Sequence, residues 1–292
     1  MKRILFIINP ISGGKKKDHL PHLIEKHLDH SRFHSEIFHW TSYPKLRTRL
    51  GQFVEDSGNI VVAVGGDGTI NIIASLMYGT QTTLGVVPMG SGNGFARALK
   101  IPLNPADAIL ALNDAEERML DVWICNTSSF VNVAGIGFDA TVSQRYTSFK
   151  KRGLLSYVKS VLLLYPSAKE YTFNITLDGE KHCYKGFMLS VANGPQWGNN
   201  FTIAPCARFD DGLLDLIIVR KPKLWQIISL LRAFRNGNKS QNGISLRGKS
   251  IQIHSESNIH LHLDGEASGT NTDFRFELED KKLRVLQPSA LQ

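Results

Sequence analysis

Short apolar runs alternate with helical patterns over the first 120 residues. Residues 4–8, 60–64 and 84–87 are the strand candidates. Between the first two runs, Asp18 is the predicted cap of a helix with an apolar stripe of Leu20, Leu23, Ile24 and Leu28. After the second run, residues 70–78 read as a helix that Gly79 ends. This alternation is typical of βαβ units and predicts a parallel sheet.

Beyond Asp121 the period changes to that of strands joined by hairpin turns. Residues 171–177 alternate apolar and polar side chains, as a strand does. The turn dipeptide Asp178-Gly179 follows, and a second predicted strand segment then extends to Val191. This half should be mostly antiparallel, interrupted by one helix whose stripe is Leu224, Ile227, Ile228, Leu231 and Phe234. Pro222 suits the first turn of that helix and Gly237 its end. The change of period places a domain boundary near residue 120.

Composition and charge narrow the class of protein. The 292 residues are 42% hydrophobic, which is typical of a globular chain, and no segment approaches the roughly 20 apolar residues of a membrane-spanning helix. The apolar run at residues 4–8 is too short for a signal peptide, and three distant cysteines suggest neither disulfides nor a thiolate metal cluster, so a cytoplasmic location is expected. The net charge of +8 favours an anionic partner: nucleic acid, phosphorylated small molecules or an anionic membrane leaflet.

Three glycine-rich segments follow the predicted parallel strands, at residues 9–14, 65–69 and 88–94. The carboxyl ends of such strands line the ligand crevice of an open sheet, and glycines let backbone N–H groups approach phosphate oxygens. Each segment alone could be a tight turn, but together they predict a polyphosphate site. Asp67 lies within the second segment, where a carboxylate would repel phosphate without an intervening divalent cation, so magnesium nucleotide is the predicted ligand.

The spacing of these glycines excludes two common nucleotide motifs. A dinucleotide fingerprint has the pattern G-x-G-x-x-G. The segment that begins Gly66-x-Gly68 has no glycine at the sixth position of this pattern, and the segment that begins Gly90-x-Gly92 has Phe95 at that position. Gly14-Lys15 lacks the upstream glycine of a P-loop. A Rossmann dehydrogenase and a P-loop enzyme are therefore disfavoured.

The segment Gly65-Gly66-Asp67-Gly68-Thr69 with Asn71, followed by residues 88–93, resembles the diacylglycerol kinase catalytic-domain family. Residues 210–215 and Asp264-Gly265-Glu266 resemble that family's later motifs, so the resemblance covers nearly the whole chain. Sphingosine kinases and bacterial lipid kinases share this layout. The resemblance implies an α/β fold of two domains: an N-terminal α/β nucleotide-binding domain over 1–120, to which a tail over about 280–292 can return, and a C-terminal, mostly antiparallel β-sandwich-like lipid-substrate domain over 121–280.

Site residues follow from the resemblance position by position. Nucleotide binding is implied for Asn9, Pro10, Ile11, Ser12, Gly13, Thr41, Gly65, Gly66, Asp67, Gly68, Thr69, Ile70, Asn71 and Ser91. A structural Mg²⁺ is implied at Asp211 with the carbonyl groups of Arg208 and Leu213, and Glu266 is implied as the catalytic base. Some bacterial members carry Thr-Val-Asn in place of Ser91-Gly92-Asn93, which keeps a hydroxyl, although lipid preference can differ.

Chemistry independently supports a carboxylate at position 266, because phosphoryl transfer to an alcohol needs a group that accepts the hydroxyl proton. If the strand before it persists, His260, His262, Asp264 and Glu266 share one face. An H-x-H-x-D array can hold a transition metal, but histidines on the solvent side of a half-buried strand are commoner. The six histidines between His19 and His39 are likewise interpreted as a solvated face.

Two segments are candidates for membrane contact. Lys150-Lys151-Arg152 precede Leu154-Leu155 and the apolar run 161–165, which reads equally as a basic flank beside an apolar surface element or as a buried helix with a charged start. The second segment is the helix predicted from Leu224 onward, with Trp225 beside its stripe and Arg232 and Arg235 near its C-terminus. It is either a membrane-contacting surface element or a core-facing helix with cations near its end.

The sequence therefore predicts an enzyme that transfers the γ-phosphate of ATP, with Mg²⁺, to the hydroxyl of a membrane lipid such as diacylglycerol or a sphingoid base. Asp67 would organise catalytic Mg²⁺, and the protein would be cytoplasmic and peripherally associated with the membrane. One alternative is an NAD kinase, which shares a Gly-Gly-Asp-Gly-Thr loop, and another is a non-catalytic lipid or nucleotide sensor. No nucleic-acid-binding module is found, and the oligomeric state stays open.

Overall fold

The structure is a computed structural model that describes residues 1–14, 17–54, 58–147, 154–237 and 243–289. In these ranges the strands are β1 (Lys2–Ile8), β2 (Phe33–His39), β3 (Ile60–Gly65), β4 (Thr83–Pro88), β5 (Glu116–Leu120), β6 (Trp123–Cys125), β7 (Ser128–Phe130), β8 (Val133–Gly137), β9 (Tyr171–Leu177), β10 (Glu180–Gly186), β11 (Met188–Ala192), β12 (Gln196–Gly198), β13 (Phe201–Thr202), β14 (Leu214–Val219), β15 (Gly243–Gly248), β16 (Ile251–Leu263), β17 (Glu266–Leu278) and β18 (Leu283–Gln287). The α-helices are α1 (Leu20–His27), α2 (Tyr43–Val54), α3 (Asp67–Met77), α4 (Gly94–Ala98), α5 (Pro105–Ala111), α6 (Phe138–Thr147), α7 (Leu154–Leu164) and α8 (Ile227–Arg235).

The chain divides into two compact units, and the first comprises Met1–Leu120 with Lys281–Gln292. Its sheet has the strand order β2-β1-β3-β4-β18-β5, in which β5 pairs antiparallel with β18 and the other pairs are parallel. Strands β3 and β4 are buried along their whole length, as expected for apolar runs at the centre of a parallel sheet. This unit confirms the predicted α/β fold and the three predicted strands.

Two helix predictions for this unit differ at the N-termini. Helix α1 begins at Leu20 with His19 as its N-cap and without a side-chain capping hydrogen bond, so the predicted Asp18 cap is wrong. Its stripe does face the core, because Leu20 and Ile24 are buried. Helix α3 begins at Asp67, three residues before the predicted start, because Gly66 in an extended conformation takes the N-cap position.

The second unit, Asp121–Asp280, is built on a large antiparallel sheet. Its main path runs β15-β14-β11-β8-β16-β17-β6-β7, and β9 pairs with β10 and β16. One face of the sheet carries an aromatic core of Trp123, Phe130, Phe173, Phe274 and Phe276. The other packs residues of α6, α7 and α8 around Phe138, Tyr165, Phe187 and Phe234. The mostly antiparallel, sandwich-like second half is therefore confirmed.

The predicted hairpin and the predicted helix of this unit are present with changes. Asp178 and Gly179 both have positive φ, of 49° and 91°, and they join β9 to β10. The second run is split after Gly186, so that β11 pairs with β8 and β14 instead of β9. Helix α8 follows a 3₁₀ turn over Leu224–Gln226. Its predicted stripe is only partly right, because Ile227 and Phe234 are buried whereas Leu224 and Ile228 face solvent.

In the described part of the chain, none of the helices combines the length and the apolar character that crossing a membrane requires.

Candidate functional site

The three glycine-rich loops meet at the carboxyl ends of β1, β3 and β4 in the first unit. Gly13 has φ of +67°, and a Cβ atom there would lie 1.7 Å from the carbonyl oxygen of Met89. A Cβ atom at Gly90 would lie 2.5 Å from the Cα atom of Gly66. Any other residue at Gly13 or Gly90 would force these backbones apart, so the glycines allow the three loops to pack directly on one another.

Side chains and backbone groups also bond the loops to one another. Asn9 Nδ2 donates to Thr69 Oγ1 at 2.9 Å, and Met89 N donates to the Gly65 carbonyl at 2.7 Å. Within the third loop, Asn93 adopts a left-handed conformation with φ of 52°, and its side chain bonds both backbone polar groups of Gly90. The loops therefore form one rigid surface of backbone groups, which is the arrangement that suits phosphate oxygens.

Lys17 is a residue of this site that the sequence did not single out. It is only 6% exposed, and its ammonium donates to the carbonyl groups of Asn9 and Ser12 and, at 2.9 Å, to Ser12 Oγ. Burial lowers the pKa of this ammonium. The signal available in the sequence was the run Lys15-Lys16-Lys17 after the glycines, which by itself is typical of a solvated charge cluster. In the fold, Lys17 holds the first loop in shape from beneath.

Asp67 is half-buried as the first residue of α3. Its Oδ1 accepts a hydrogen bond of 3.1 Å from the backbone N–H of Phe95, at the start of α4. A carboxylate at a helix N-terminus is favoured by the helix dipole and by the unpaired N–H groups there. Asp67 thus connects the second loop to the third, and its oxygen atoms are of the hard type that Mg²⁺ prefers.

The other predicted nucleotide residues of this unit fall into two groups. Pro10 and Ile11 are exposed in the first loop, Thr41 is exposed just after β2, and Gly68, Asn71 and Ser91 are partly exposed at α3 and the third loop. Ile70 differs, because its side chain is 1% exposed in the core and its N–H bonds the Gly66 carbonyl. The Ile70 side chain therefore packs in the core, and the assignment of Ile70 to nucleotide binding stays a prediction.

In the second unit, Glu266 is the exposed first residue of β17, directly after the turn from β16. Asp264 and Gly265 have φ of 49° and 87°, the two positive values of a type I′ hairpin turn. The Asp264 carboxylate is buried and accepts N–H groups of Val131, Asn132 and Val133 at 2.8 to 3.0 Å. Asp264 is thus a structural anchor that ties the Glu266 turn to the start of β8.

A buried histidine supports the same turn. His262 Nδ1 accepts the Gly265 N–H at 3.2 Å, which leaves Nε2 to carry the proton toward Asp139 Oδ2 at 3.4 Å. The two side chains are 7% and 4% exposed. A Cβ atom at Gly135 would lie 2.3 Å from His262 Nε2, so the glycine makes room for the pair. The prediction that His262 lies on the solvent side of its strand is wrong, whereas His260 is partly exposed.

The predicted Mg²⁺ site at Asp211 lies in the turn before β14. Asp211 Oδ1 accepts the Leu213 N–H at 3.1 Å, while Oδ2 forms an ion pair with Arg247 on β15. Gly212 N donates to Asp121 Oδ2 at 2.7 Å, and the Arg208 side chain is exposed. One carboxylate with backbone carbonyl groups is a donor set that fits Mg²⁺, provided that the Arg247 guanidinium leaves Asp211.

Two further predictions concern metals and membrane contact. Over the described ranges, no group of three or more His, Cys, Asp and Glu side chains is arranged to hold a metal ion, and this covers the histidines from His19 to His39 and the H-x-H-x-D array. Lys150, Lys151 and Arg152 lie outside the described residues. Leu162 and Leu163 of α7 are exposed, whereas Tyr165 is buried.

Comparison with known proteins yields two family matches that together cover most of the chain. The family described as the diacylglycerol kinase catalytic domain matches residues 3–125. The family described as the YegS C-terminal NAD kinase beta sandwich-like domain matches residues 132–287.

Individual relatives agree with these matches. A Chromohalobacter salexigens protein named "Probable lipid kinase YegS-like" is 33% identical over 75% of this chain and 73% of its own length. A Bacillus subtilis protein named "Diacylglycerol kinase" is 28% identical over 92% of this chain and 91% of its own. A crystal structure described as a diacylglycerol kinase from Bacillus anthracis has the same fold, with a TM-score of 0.74, 20% identity, and coverage of 100% of this chain and 98% of that one.

Proposed function

The chain belongs to the diacylglycerol kinase catalytic-domain family, and from that premise we propose that its acceptor is the hydroxyl group of a membrane lipid such as diacylglycerol or a sphingoid base. Membership makes it an ATP-dependent lipid kinase. The observation that carries the proposal further is the Glu266 turn, in which an exposed carboxylate follows two buried, hydrogen-bonded side chains, His262 and Asp264. Such rigid support is what a catalytic group requires.

In the proposed reaction, the three glycine loops bind the phosphates of ATP through backbone N–H groups. Asp67 is the residue that would hold Mg²⁺ there, and the ion would supply charge neutralisation. Glu266 accepts the proton of the lipid hydroxyl as the alcohol oxygen attacks the γ-phosphorus, and ADP leaves with the electrons of the broken phosphoanhydride bond. Lys17 and Asn93 preserve the shape of the loops and do not touch the reacting atoms.

An assay of acceptor classes tests this proposal. The purified protein is given γ-labelled ATP and Mg²⁺ with diacylglycerol, a sphingoid base, a prenol or phosphatidylglycerol in mixed micelles, and separately with NAD. The product is then partitioned between organic and aqueous phases. We expect label in the organic phase with at least one lipid. Label only in NADP would contradict the lipid proposal and favour the NAD kinase alternative, a reading suggested by the description of the matched second-unit family.

Asp67 provides a check on the nucleotide half of the site. Asp67→Asn keeps the size of the side chain and an oxygen that can accept the Phe95 N–H, but it removes the negative charge. We expect phosphoryl transfer to fall by more than a hundredfold while the melting temperature changes little, because the amide is a poor ligand for Mg²⁺. Activity within tenfold of wild type would exclude the proposed role of Asp67.

A further inference from the structure

Helix α8 and the 3₁₀ turn before it present bulky apolar side chains to solvent. Leu224, Trp225 and Ile228 are 69%, 74% and 60% exposed, and we call these three residues the α8 patch. The same element buries Ile227 and Phe234 in the core of the second unit. The helix therefore carries more apolar surface than the core takes up. Single exposed apolar residues are common on proteins, but contiguous ones mark interaction surfaces.

The charged side chains along the segment that carries the α8 patch are all positive, and the one acidic contact that the described residues show for the segment is the exposed Glu170 carboxylate, which accepts the Lys221 N–H at 2.9 Å. Residues 220–237 contain five cations and neither Asp nor Glu. The cations are Arg220, Lys221, Lys223, Arg232 and Arg235. Lys223 Nζ lies 5.2 Å from the centroid of the Trp225 ring, which keeps this charge beside the apolar surface. A short helix with exposed Trp, Leu and Ile and cations at both ends has the character of an interfacial membrane-binding element.

Helix α7 places a second exposed apolar pair near the same segment. Leu162 and Leu163 are 58% and 52% exposed. Tyr165, which directly follows α7, donates its hydroxyl hydrogen bond to the Pro222 carbonyl, and Lys221 Nζ lies 5.3 Å from the centroid of its ring. Side chains of α7 and α8 also pack on the same core cluster. The exposed leucines therefore lie on a helix whose C-terminal end is bonded to the segment that leads into the α8 patch.

Helix α7 also adjoins the element that contacts the Glu266 turn. It packs against α6, and Ser143 of α6 donates a hydrogen bond to the Gly265 carbonyl. Within the second unit, a continuous set of contacts thus runs from the Glu266 hairpin through α6 and α7 to the start of the α8 segment.

We propose that the α8 patch and its flanking cations are a docking surface for an anionic lipid bilayer. On docking, Leu224, Trp225 and Ile228 enter the boundary between headgroups and acyl chains, and Lys223, Arg232 and Arg235 contact the acidic headgroups. The proposal rests on the proposed lipid-kinase function, since an enzyme whose acceptor stays in the bilayer must work at its surface. The excess of positive charge along residues 220–237, five cations with neither Asp nor Glu, is the reason for choosing a bilayer over a protein partner or a second copy of the chain.

Sedimentation with vesicles tests the surface directly, without nucleotide. The vesicles are phosphatidylcholine alone or phosphatidylcholine with phosphatidylglycerol. We expect the wild type to bind the anionic vesicles and to be released by salt. The variant Leu224→Ser/Trp225→Ser/Ile228→Ser should lose at least tenfold in partition coefficient. A matched control, Leu110→Ser/Met119→Ser, removes exposed apolar side chains of the first unit, and its binding should stay within twofold of wild type.

Two further variants separate charge from apolar contact and protect the test from misfolding. Lys223→Gln/Arg232→Gln/Arg235→Gln should weaken binding to anionic vesicles only. Trp225→Ser alone removes one exposed side chain and should still reduce binding several-fold if the triple variant does not fold. The proposal is overturned if either patch variant, in folded form, binds anionic vesicles as the wild type does. It is also overturned if light scattering shows a dimer that the patch variant abolishes and wild-type vesicle binding is absent.

Kinase assays distinguish failure of this inference from failure of the proposed function. The variant Leu224→Ser/Trp225→Ser/Ile228→Ser should phosphorylate a short-chain diacylglycerol, dispersed as monomers, at the wild-type rate. Its rate of phosphorylation of long-chain lipid in vesicles should be at least tenfold below that of the wild type. If no lipid is phosphorylated but vesicle binding still depends on the patch, the docking surface stands and the acceptor proposal fails. If both acceptors are phosphorylated equally well by wild type and variant, the docking surface is refuted and the acceptor proposal stands.

Discussion

At the scale of single residues, the Asp264-Gly265-Glu266 motif divides into two structural residues and one exposed carboxylate. The Asp264 carboxylate accepts three backbone N–H groups, and Gly265 has no side chain, so the structure leaves Glu266 as the motif's candidate for proton transfer. We expect Glu266→Gln to lower turnover by about 10²- to 10⁴-fold, the usual effect of removing a general base, while the apparent affinity for ATP stays within a few-fold. Steady-state kinetics with lipid acceptor measures both quantities, and turnover should partly recover as pH rises.

Asp264→Ala is the matched control for Glu266→Gln. It leaves the N–H groups of Val131, Asn132 and Val133 without their buried acceptor, so the free energy of unfolding should fall by about 1 to 3 kcal/mol. Near-normal turnover in Glu266→Gln, with the protein folded, would mean that another group accepts the proton.

Lys17 yields a second prediction at this scale. Lys17→Met keeps an unbranched side chain but removes the donors to the Asn9 and Ser12 carbonyl groups. Because hydrogen bonds from a charged donor contribute about 1.5 to 3 kcal/mol, loosening of the first loop should raise the KM for ATP about tenfold or more. Lys26→Met changes an exposed lysine of α1 and should leave the KM unchanged. Equal KM values in both variants would show that Lys17 does not organise the loop.

The sequence predicted the role of single residues where neighbouring residues in the chain determine that role. Glycines 13 and 90 lie in the segments predicted to bind phosphate, and the structure shows that they allow the loops to approach one another closely, whereas phosphate binding stays a prediction. The burial of His262 was not predictable, because groups remote in sequence bury it, namely the carboxylate of Asp139 and the space left by Gly135. The partners of Lys17, Asn9 and Ser12, are near in sequence, but only the path of the folded loop brings their carbonyl groups together around the ammonium. Alternation of apolar and polar residues along β16 predicts which side chains share a face of the sheet, but it does not predict which polar side chain has a buried hydrogen-bond partner.

At the scale of elements, the predicted strands and helices were correct where the apolar pattern has one interpretation. Strands β1, β3 and β4 are uninterrupted apolar runs at the sheet centre, so their pattern leaves no alternative face. Helix α8 and the turn before it have more apolar residues than the core can bury. The apolar pattern alone does not distinguish Ile227 and Phe234, which are buried, from Leu224 and Ile228, which are exposed. That choice depends on where β13 and the large antiparallel sheet lie.

Glu36 on edge strand β2 forms ion pairs with residues of β1 and α2, and the stability that these pairs contribute should depend on pH. Glu36 Oε1 lies 2.9 Å from Arg3 Nη2 on β1, and Glu36 Oε2 pairs with Arg49 on α2. Burial by itself raises the pKa of Glu36, but the hydrogen bond and charge of Arg3 and the charge of Arg49 outweigh it and hold the pKa below its ordinary value of 4.5.

A lowered folded-state pKa fixes the sign of the effect. The stabilisation is complete above the unfolded-state pKa and is lost as pH falls through the lower folded-state pKa, so it should diminish only as the pH falls below the ordinary value of 4.5. We expect Glu36→Gln to lower the free energy of unfolding by about 1 kcal/mol at pH 7, with the difference from wild type shrinking in acid. Urea unfolding at several pH values measures this. Glu25→Gln alters a carboxylate that is 80% exposed and should show no such trend.

At the scale of the whole molecule, the chain leaves the first unit after Leu120 and returns to it for β18. The return places Leu283 opposite Leu120 and inserts β18 between β4 and β5. Leu283 and Val285 are completely buried, so the tail completes the sheet. The alternating pattern of residues 283–287 indicates a strand but does not specify its neighbours, since pairing between residues so distant in sequence leaves no local signal.

Thermal stability is a property of the whole molecule, and it can reveal whether Mg²⁺ binds at Asp211 independently of nucleotide. An ion that binds only the folded chain stabilises it by RT ln(1 + [Mg²⁺]/Kd), about 1.4 kcal/mol at ten times Kd, or roughly 2 °C or more in melting temperature. The carboxylate at this position already pairs with the Arg247 guanidinium, which also lies 3.7 Å from Asp215 through Nε. A cation bound there would therefore compete with the guanidinium for Asp211.

This competition gives opposite expectations for two variants. Asp211→Ala removes the carboxylate, so its melting temperature should fall and should not respond to Mg²⁺ in the absence of ATP. Arg247→Ala removes the competing charge, so its melting temperature in EDTA should also fall, but Mg²⁺ should restore more of it than in the wild type, because the freed Asp211 oxygen becomes a ligand. Ca²⁺ and Na⁺ at matched ionic strength separate ligation from screening. If Mg²⁺ raises the melting temperature of Asp211→Ala as much as that of wild type, the ion binds elsewhere, and Arg247 alone neutralises this turn.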